Sequence, residues 1–338
     1  MIKKNGISAL LFAAFMPHGQ AQSNKIITTK EYPKDYFRSP MNITPDASGT
    51  FAELRSNHFH AGDDFRTQQK IGQPIYAIAE GYVSRMYIQS GGGGNILYVN
   101  HPNGYTSVYM HMDRFTEELK QILHAEQYKK QLFNVDLSLE ATRVPVKKGT
   151  LIGYSGNTGG SGGPHLHLEI RDTKTQAARN PQLFGLKFSD NYAPTIQGLM
   201  VYDLNEPIFN ENTPRRNQQI RAISSTNYKL SNAAPIQVNG KFGLGINTID
   251  RHRAGGFKNG VYSIELYVDA KPISIILFEE IDLTYSRAMN SYMDFPHFKK
   301  TKVKMQKSFK DPGNPLNIYY HLDNEGTITL HDNKVHDG

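Results

Sequence analysis

The chain has no cysteine and no tryptophan among its 338 residues. Without cysteine it has no disulfides, no thiolate metal ligands, no cysteine nucleophile and no cysteine to carry a lipid anchor. The apolar run from Ile7 to Phe15 is too short to cross a membrane. No His-Glu-x-x-His occurs, so the helical motif that pairs two zinc ligands with a glutamate base is missing. No basic cluster is dense enough to expect nucleic-acid binding. Lys299-Lys300-Thr301-Lys302-Val303-Lys304 alternates like the solvent face of a strand.

What remains is polar, basic and rich in β-formers. Charged residues make up 20% and hydrophobic residues 38%, which suits a globular protein with many polar loops. The 19 Tyr, 17 Phe and 29 Gly, with many short alternating runs, point to a mainly β fold. Residues 1–21 read as a signal peptide: Lys3 and Lys4, then the apolar run, then Gly19-Gln20-Ala21 at cleavage spacing. Export without cysteine fits a periplasmic, cell-envelope or secreted protein. The net charge of +7 falls by two when Lys3 and Lys4 are removed. A basic exported protein is drawn to polyanionic surfaces such as the cell wall.

Residues 22–47, with Pro33, Pro40 and Pro45, read as an extended leader. Residues 48–190 hold the chemistry. Strands are expected at Pro74–Ala79, Tyr82–Ser90, Asn95–Asn100, Tyr105–Met112, Leu151–Ser155 and His165–Arg171, in an antiparallel sheet. Asn103-Gly104 marks a hairpin between two of them. Apolar residues at helical spacing predict a helical insertion within Phe115–Phe133, flanking His111. After Asp190-Asn191-Tyr192-Ala193-Pro194, residues 191–338 read as a β-sandwich-like accessory domain. Strand candidates there are Phe242–Ile249, Gly260–Asp269, Pro272–Phe278, Leu316–Leu322 and Thr327–His331. The chain ends soon after the last of these, so the module reads as incomplete or as followed by more sequence in relatives. His252, His297, His321, His331 and His336 are scattered and read as surface or core residues, with no metal cluster among them.

Three motifs carry the chemistry. In His165-Leu166-His167-Leu168-Glu169-Ile170 the side chains alternate, so His165, His167 and Glu169 face one side and the aliphatic residues the other. In His58-Phe59-His60-Ala61-Gly62-Asp63-Asp64, Gly62 permits a sharp bend between His60 and Asp64. Spacing alone does not choose between His58 and His60, or between Asp63 and Asp64, as ligands. In Tyr109-Met110-His111-Met112, strand alternation puts His111 on the face of Tyr109, and a structural histidine is the alternative reading. Two imidazoles and one carboxylate meet the needs of a catalytic zinc, which takes three protein ligands and leaves a position open. The loop Ser155–Pro164 lacks the spacing and following helix of a phosphate loop.

These pieces together resemble the lysostaphin/LytM-type zinc endopeptidases of bacterial cell walls. The matching segments are His60-Ala61-Gly62-Asp63-Asp64, Pro74 to Val83, Tyr109-Met110-His111, Gly149 to Gly153, Ser155 to Gly159 and Gly163 to Glu169. The resemblance covers about residues 48–185, close to one domain's worth of chain. Arg55-Ser56-Asn57-His58-Phe59-His60 is similar to the lead-in of exported members from Bacteroidetes-like bacteria, which makes His58 a framing residue. The resemblance implies one zinc ion per chain, bound by His60, Asp64 and His167. It implies catalytic roles for His111 and His165, and peptidoglycan stem or cross-bridge peptides as substrate. Two positions depart from the pattern: Asp63 stands where an aliphatic residue is usual, adding charge near the metal, and Ala52 stands where glycine is common.

The expected function is therefore an exported zinc metalloendopeptidase. The rivals are a non-catalytic envelope protein that activates another wall hydrolase, a zinc peptidase of secreted proteins, and a structural envelope protein with a vestigial zinc site. The Gly-rich segments Gly91–Gly94 and 156–163 suggest a groove for a slim peptide, or simple turns.

Overall fold

Alternating aliphatic and polar residues build one antiparallel sheet around which the chain is organised. A computed structural model describes residues 26–232 and 234–330. The expected signal peptide at 1–21, like His331 and His336, lies outside the described residues. The first strands are β1 (Ala47–Gly49), β2 (Asp63–Arg66), β3 (Pro74–Tyr76), β4 (Gly81–Ile88), β5 (Asn95–Asn100), β6 (Tyr105–Met110) and β7 (Met112–Phe115). Helix α1 (Glu117–Lys130) follows, then β8 (Asp136–Ser138), β9 (Pro145–Val146), β10 (Leu151–Ser155), β11 (His165–Asp172) and β12 (Ala178–Arg179). The large sheet runs β1-β2-β11-β6-β5-β4-β8, with β9 beside β4 and β12 beside β11. A smaller sheet runs β3-β10-β7.

The two meet over a core of Ile75, Val83, Met86, Leu97, Val99, Tyr109, Leu166, Leu168 and Ile170, all buried. Tyr32, Phe37 and Met41, from the segment ahead of β1, are buried in the same core. That segment is tied to the sheet region by Arg38 N–H to the Ile78 carbonyl and Tyr76 N–H to the Pro40 carbonyl.

The expected strands at 95–100 and 151–155 form with those bounds. The β5–β6 hairpin turns through Gly104 at φ +84°, a conformation open to glycine. The strand expected over 105–112 is broken at His111, which leaves β6 and β7 as separate strands in different sheets. The helical insertion is shorter than the apolar pattern suggested. Gln131 in the left-handed region ends α1, Leu119 and Leu123 pack into the core, and Leu132 and Phe133 are exposed.

Beyond residue 190 come β13 (Thr195–Asp203), β14 (Arg215–Gln218), β15 (Ile220–Ala222), β16 (Tyr228–Leu230), β17 (Lys241–Ile249), β18 (Ser263–Val268), β19 (Lys271–Leu277) and β20 (Glu280–Ile281). Short helices α2 (Met289–Tyr292) and α3 (Phe295–Thr301) precede β21 (Gln306–Lys307), β22 (Tyr319–Leu322) and β23 (Ile328–Thr329). Antiparallel sheets β14-β13-β17-β21 and β18-β19-β22 form there, and β20 pairs with β12 at the edge of the large sheet. The lysine run at 299–304 is not a strand face. Asp294 caps α3 by accepting the His297 N–H, and Lys299 and Lys300 sit in its last turn, where positive charge complements the helix dipole.

Phe59 is fully buried against Phe278 and Tyr292, with ring centroids 6.0 and 6.2 Å away, and its N–H donates to Ser286 Oγ at 3.0 Å. Residues after 275 therefore back the loop that carries His60.

Candidate metal centre

The register of three neighbouring strands sets the site. Asp64 on β2 pairs with His167 on β11, and His167 pairs with Met110 on β6. Paired residues share a face of the sheet, so Asp64 and His167 project together. Leu168, Asp63 and Tyr109 form the next paired row and point to the core. His60 reaches the same point from the folded loop 50–60, whose Ala52 N–H donates to the His60 carbonyl and whose Glu53 carbonyl accepts the His60 N–H.

Three ligand atoms converge there. His60 Nε2 lies 3.0 Å from Asp64 Oδ1 and 3.0 Å from His167 Nδ1, and His167 Nδ1 lies 2.9 Å from Asp64 Oδ1. The far nitrogens decide what these atoms are. His60 Nδ1 is 2.8 Å from the Thr50 carbonyl oxygen, an acceptor, so Nδ1 carries hydrogen and the neutral ring turns a lone pair on Nε2 toward the centre. His167 Nε2 is 3.1 Å from Glu169 Oε1, so the neutral ring likewise turns Nδ1 inward as a lone pair. Two lone pairs and a carboxylate oxygen facing one another call for a cation. A carbonyl or carboxylate behind each imidazole is the outer support of histidine metal ligands. The donor set, two nitrogens and one oxygen, suits zinc. Asp190, Asp250 and His252 bring three further ligand atoms within 4.8 Å of one another.

Without metal, charge redistributes among the same groups. Burial raises the Asp64 carboxyl, but its three histidine neighbours outweigh this and hold it well below the usual range. Burial lowers His167, but its hydrogen bonds to Asp64 and Glu169 outweigh burial and hold it at about 9. Burial also lowers His60, opposed in part by Asp64. Glu169 is held at about 2 because Arg171 and His167 overcome its burial.

His165 and His111 stand beside this centre. His165 Nε2 is 3.4 Å from Asp64 Oδ1, and its Nδ1 is 2.8 Å from the Gly163 carbonyl. The His111 ring lies 4.7 Å from that of His165 and 6.1 Å from that of His167. The expectation that His111 shares the face of Tyr109 does not hold. Tyr109 is fully buried, and its hydroxyl accepts the Ile78 N–H. His111 has φ +61°, which interrupts the strand and brings its ring to the side of His165 and His167. Its N–H donates to the Gly93 carbonyl and its Nδ1 donates to the Thr158 carbonyl, both at 2.8 Å. Burial lowers its pKa to about 4, so the ring is neutral near pH 7 with Nε2 free to accept a proton.

The two glycine-rich loops serve this kink. Gly160 N–H donates to the Gly92 carbonyl, and Asn95 N–H donates to Thr158 Oγ1. A Cβ on Gly159 would lie 2.4 Å from Gly94 N, so the loops touch backbone to backbone and together hold His111.

His58 is exposed and outside the ligand group. Asp63 faces the core, where its Oδ1 accepts the Phe51 N–H at 2.9 Å, and burial pushes it up to about 7. The expected extra charge near the metal is therefore turned away from it and weakened by protonation. Ala52 adopts φ +63°, which gives a physical reason for the glycine common at that position. Arg55 had no assigned role in the sequence. Its guanidinium holds the second oxygen of Asp64 at 3.0 Å and Glu53 at 3.1 Å. Its position five residues before His60 was visible, but its partner was not.

Residues 58–128 and 114–181 match the model of peptidase family M23. The chain carries an M23 peptidase domain. That domain is 37% identical over 111 residues to an uncharacterized metalloprotease of Haemophilus influenzae, a match covering 33% of this chain and 18% of that protein. It is 30% identical over 118 residues to the DD-carboxypeptidase/endopeptidase Mpg of Neisseria meningitidis, covering 35% and 21%. It is 31% identical over 144 residues to the peptidoglycan DD-endopeptidase ShyC of Vibrio cholerae, covering 40% and 27%. The chain thus spans about a fifth to a quarter of the length of these curated relatives.

Proposed function

We propose that this protein is an exported zinc metalloendopeptidase that hydrolyses peptide bonds in peptidoglycan stem or cross-bridge peptides. The observation that carries the reading is the convergence of His60 Nε2, His167 Nδ1 and Asp64 Oδ1 to within 3.0 Å, with both imidazoles oriented by acceptors behind them. His60, Asp64 and His167 would hold the ion. A bound zinc supplies Lewis acidity, polarising the scissile carbonyl and acidifying a water.

The remaining chemistry belongs to His111 and His165. Each is held at Nδ1 by a main-chain carbonyl; this leaves His111 Nε2 for the substrate side, while His165 Nε2 lies at the edge of the centre, 3.4 Å from Asp64 Oδ1. One imidazole at this edge takes a proton at Nε2 from the attacking water and, as the imidazolium so formed, gives that proton to the leaving amine. The names of the M23 relatives and the basic charge support a wall peptide as substrate, and the signal-like N-terminus supports export.

The test is digestion of purified peptidoglycan by the mature protein, with and without chelator, beside His167→Ala and His111→Ala. New amino groups should be released, and chelator and His167→Ala should both abolish release. His111→Ala should keep zinc while losing about 10²–10⁴-fold in turnover. Zinc-loaded, folded protein that releases nothing would refute the reading.

A further inference from the structure

A second group of metal-ligating side chains lies where the segment after β12 meets the end of β17. Asp190, Asp250 and His252 each present one ligand atom, and these atoms lie within 4.8 Å of one another. His252 is only 8% exposed, and its Nδ1 is buried with no hydrogen-bond partner. The ring is fixed in place. It stacks on Phe188 at 5.6 Å and 23°, and Phe188 packs on Phe65, the neighbour of Asp64.

The carboxylates are also arranged. Asp190 Oδ1 accepts the Tyr192 N–H at 3.1 Å and Asp250 Oδ1 accepts the Arg251 N–H at 2.8 Å, which leaves one oxygen free of these bonds in each. Asp250 exchanges both main-chain hydrogen bonds with Asn259, so the two side chains share a face. Asn259 Oδ1 is a second buried atom without a partner. Burial and the negative charge of Asp190 push the Asp250 carboxyl up. The part-buried Asp250 carboxylate beside a buried histidine with an unpaired ring nitrogen is costly when left alone, and the exposed Asp190 adds a second negative charge within reach. One divalent ion would answer Asp190, Asp250 and His252 together.

We propose that Asp190, Asp250 and His252 form a second metal site, which takes a zinc-class divalent ion and ties residue 190 to the end of β17. The imidazole favours a transition metal over calcium or magnesium, which prefer all-oxygen ligands. The site takes no part in the chemistry at His60. It closes a long loop of chain, so occupancy stabilises the folded state.

The experiment is calorimetric titration of the metal-stripped full chain with Zn²⁺ alone, in a His60→Ala/His167→Ala background that disables the first centre. One saturable site should remain, and Zn²⁺ should raise the melting temperature. Adding His252→Ala should abolish both effects. Adding Asp190→Asn, an exposed and isosteric change that leaves the fold intact by circular dichroism, should weaken binding about tenfold or more. No saturable binding in the background protein would overturn the proposal. So would binding that neither His252→Ala nor Asp190→Asn alters.

Discussion

At the scale of single residues, the centre depends on which nitrogen of each histidine carries hydrogen. Thr50 and Glu169 settle this from behind, and Arg55 holds the oxygen of Asp64 that faces away from His60. Asp63 shows how one step along a strand changes a residue's chemistry. It adjoins Asp64 but points into the core, fully buried, where burial pushes its carboxyl from 3.8 to about 7. A carboxyl raised on folding contributes stability that is complete below its unfolded value and is lost as pH rises through the folded one. Asp63→Asn keeps an oxygen for the Phe51 N–H and removes that loss. The variant should match the wild type near pH 4 and exceed it by on the order of 2–4 kcal/mol at pH 8. Thermal melts at the two pH values check this, and an equal gap at both would contradict it.

At the scale of elements, two local departures from regular strand shape the site. The first is the positive φ of His111, stabilised by the Gly93 and Thr158 carbonyls. Without it, alternation would carry the ring to the core side with Tyr109. The second is Gly62. Glycine there is needed for close approach, not for a left-handed bend, because an added Cβ would lie 2.3 Å from the Leu168 carbonyl oxygen. Gly62→Ala must push β2 from β11, the pair that brings Asp64 to His167. It should cost about 1–3 kcal/mol and weaken zinc binding. Chemical denaturation and metal titration measure the two effects, and a variant of unchanged stability would show that the backbone yields freely. The strand alternation of 165–170 was legible in the sequence because period two is local. The break at 111 was not, because two loops distant in sequence impose it.

At the scale of the whole molecule, the residues after 275 support the loop that carries His60. Phe59 immediately precedes His60 and is enclosed by Phe278 and Tyr292, and Lys304 Nζ donates to the Leu54 carbonyl. Phe278→Ala should cost about 3–5 kcal/mol. It should also loosen the 50–60 loop, so zinc affinity should fall although no ligand is touched. Stability lost with affinity unchanged at 25 °C would show that the loop holds its shape without this support. His252 belongs to this scale too: it reads as one of several scattered histidines until the fold sets it beside Asp190 and Asp250.

The sequence by itself determined the mainly β character, the alternation on β11, the hairpin at Gly104 and the pool of candidate ligands. Each of these follows from propensity and periodicity within a few residues. Only the tertiary structure decided that Asp63 turns to the core, that His111 leaves its strand, that Arg55 meets Asp64, and that the lysine run ends a helix. These outcomes depend on register between strands far apart in the chain and on loops meeting backbone to backbone. Such contacts leave no periodic trace in the residues that make them.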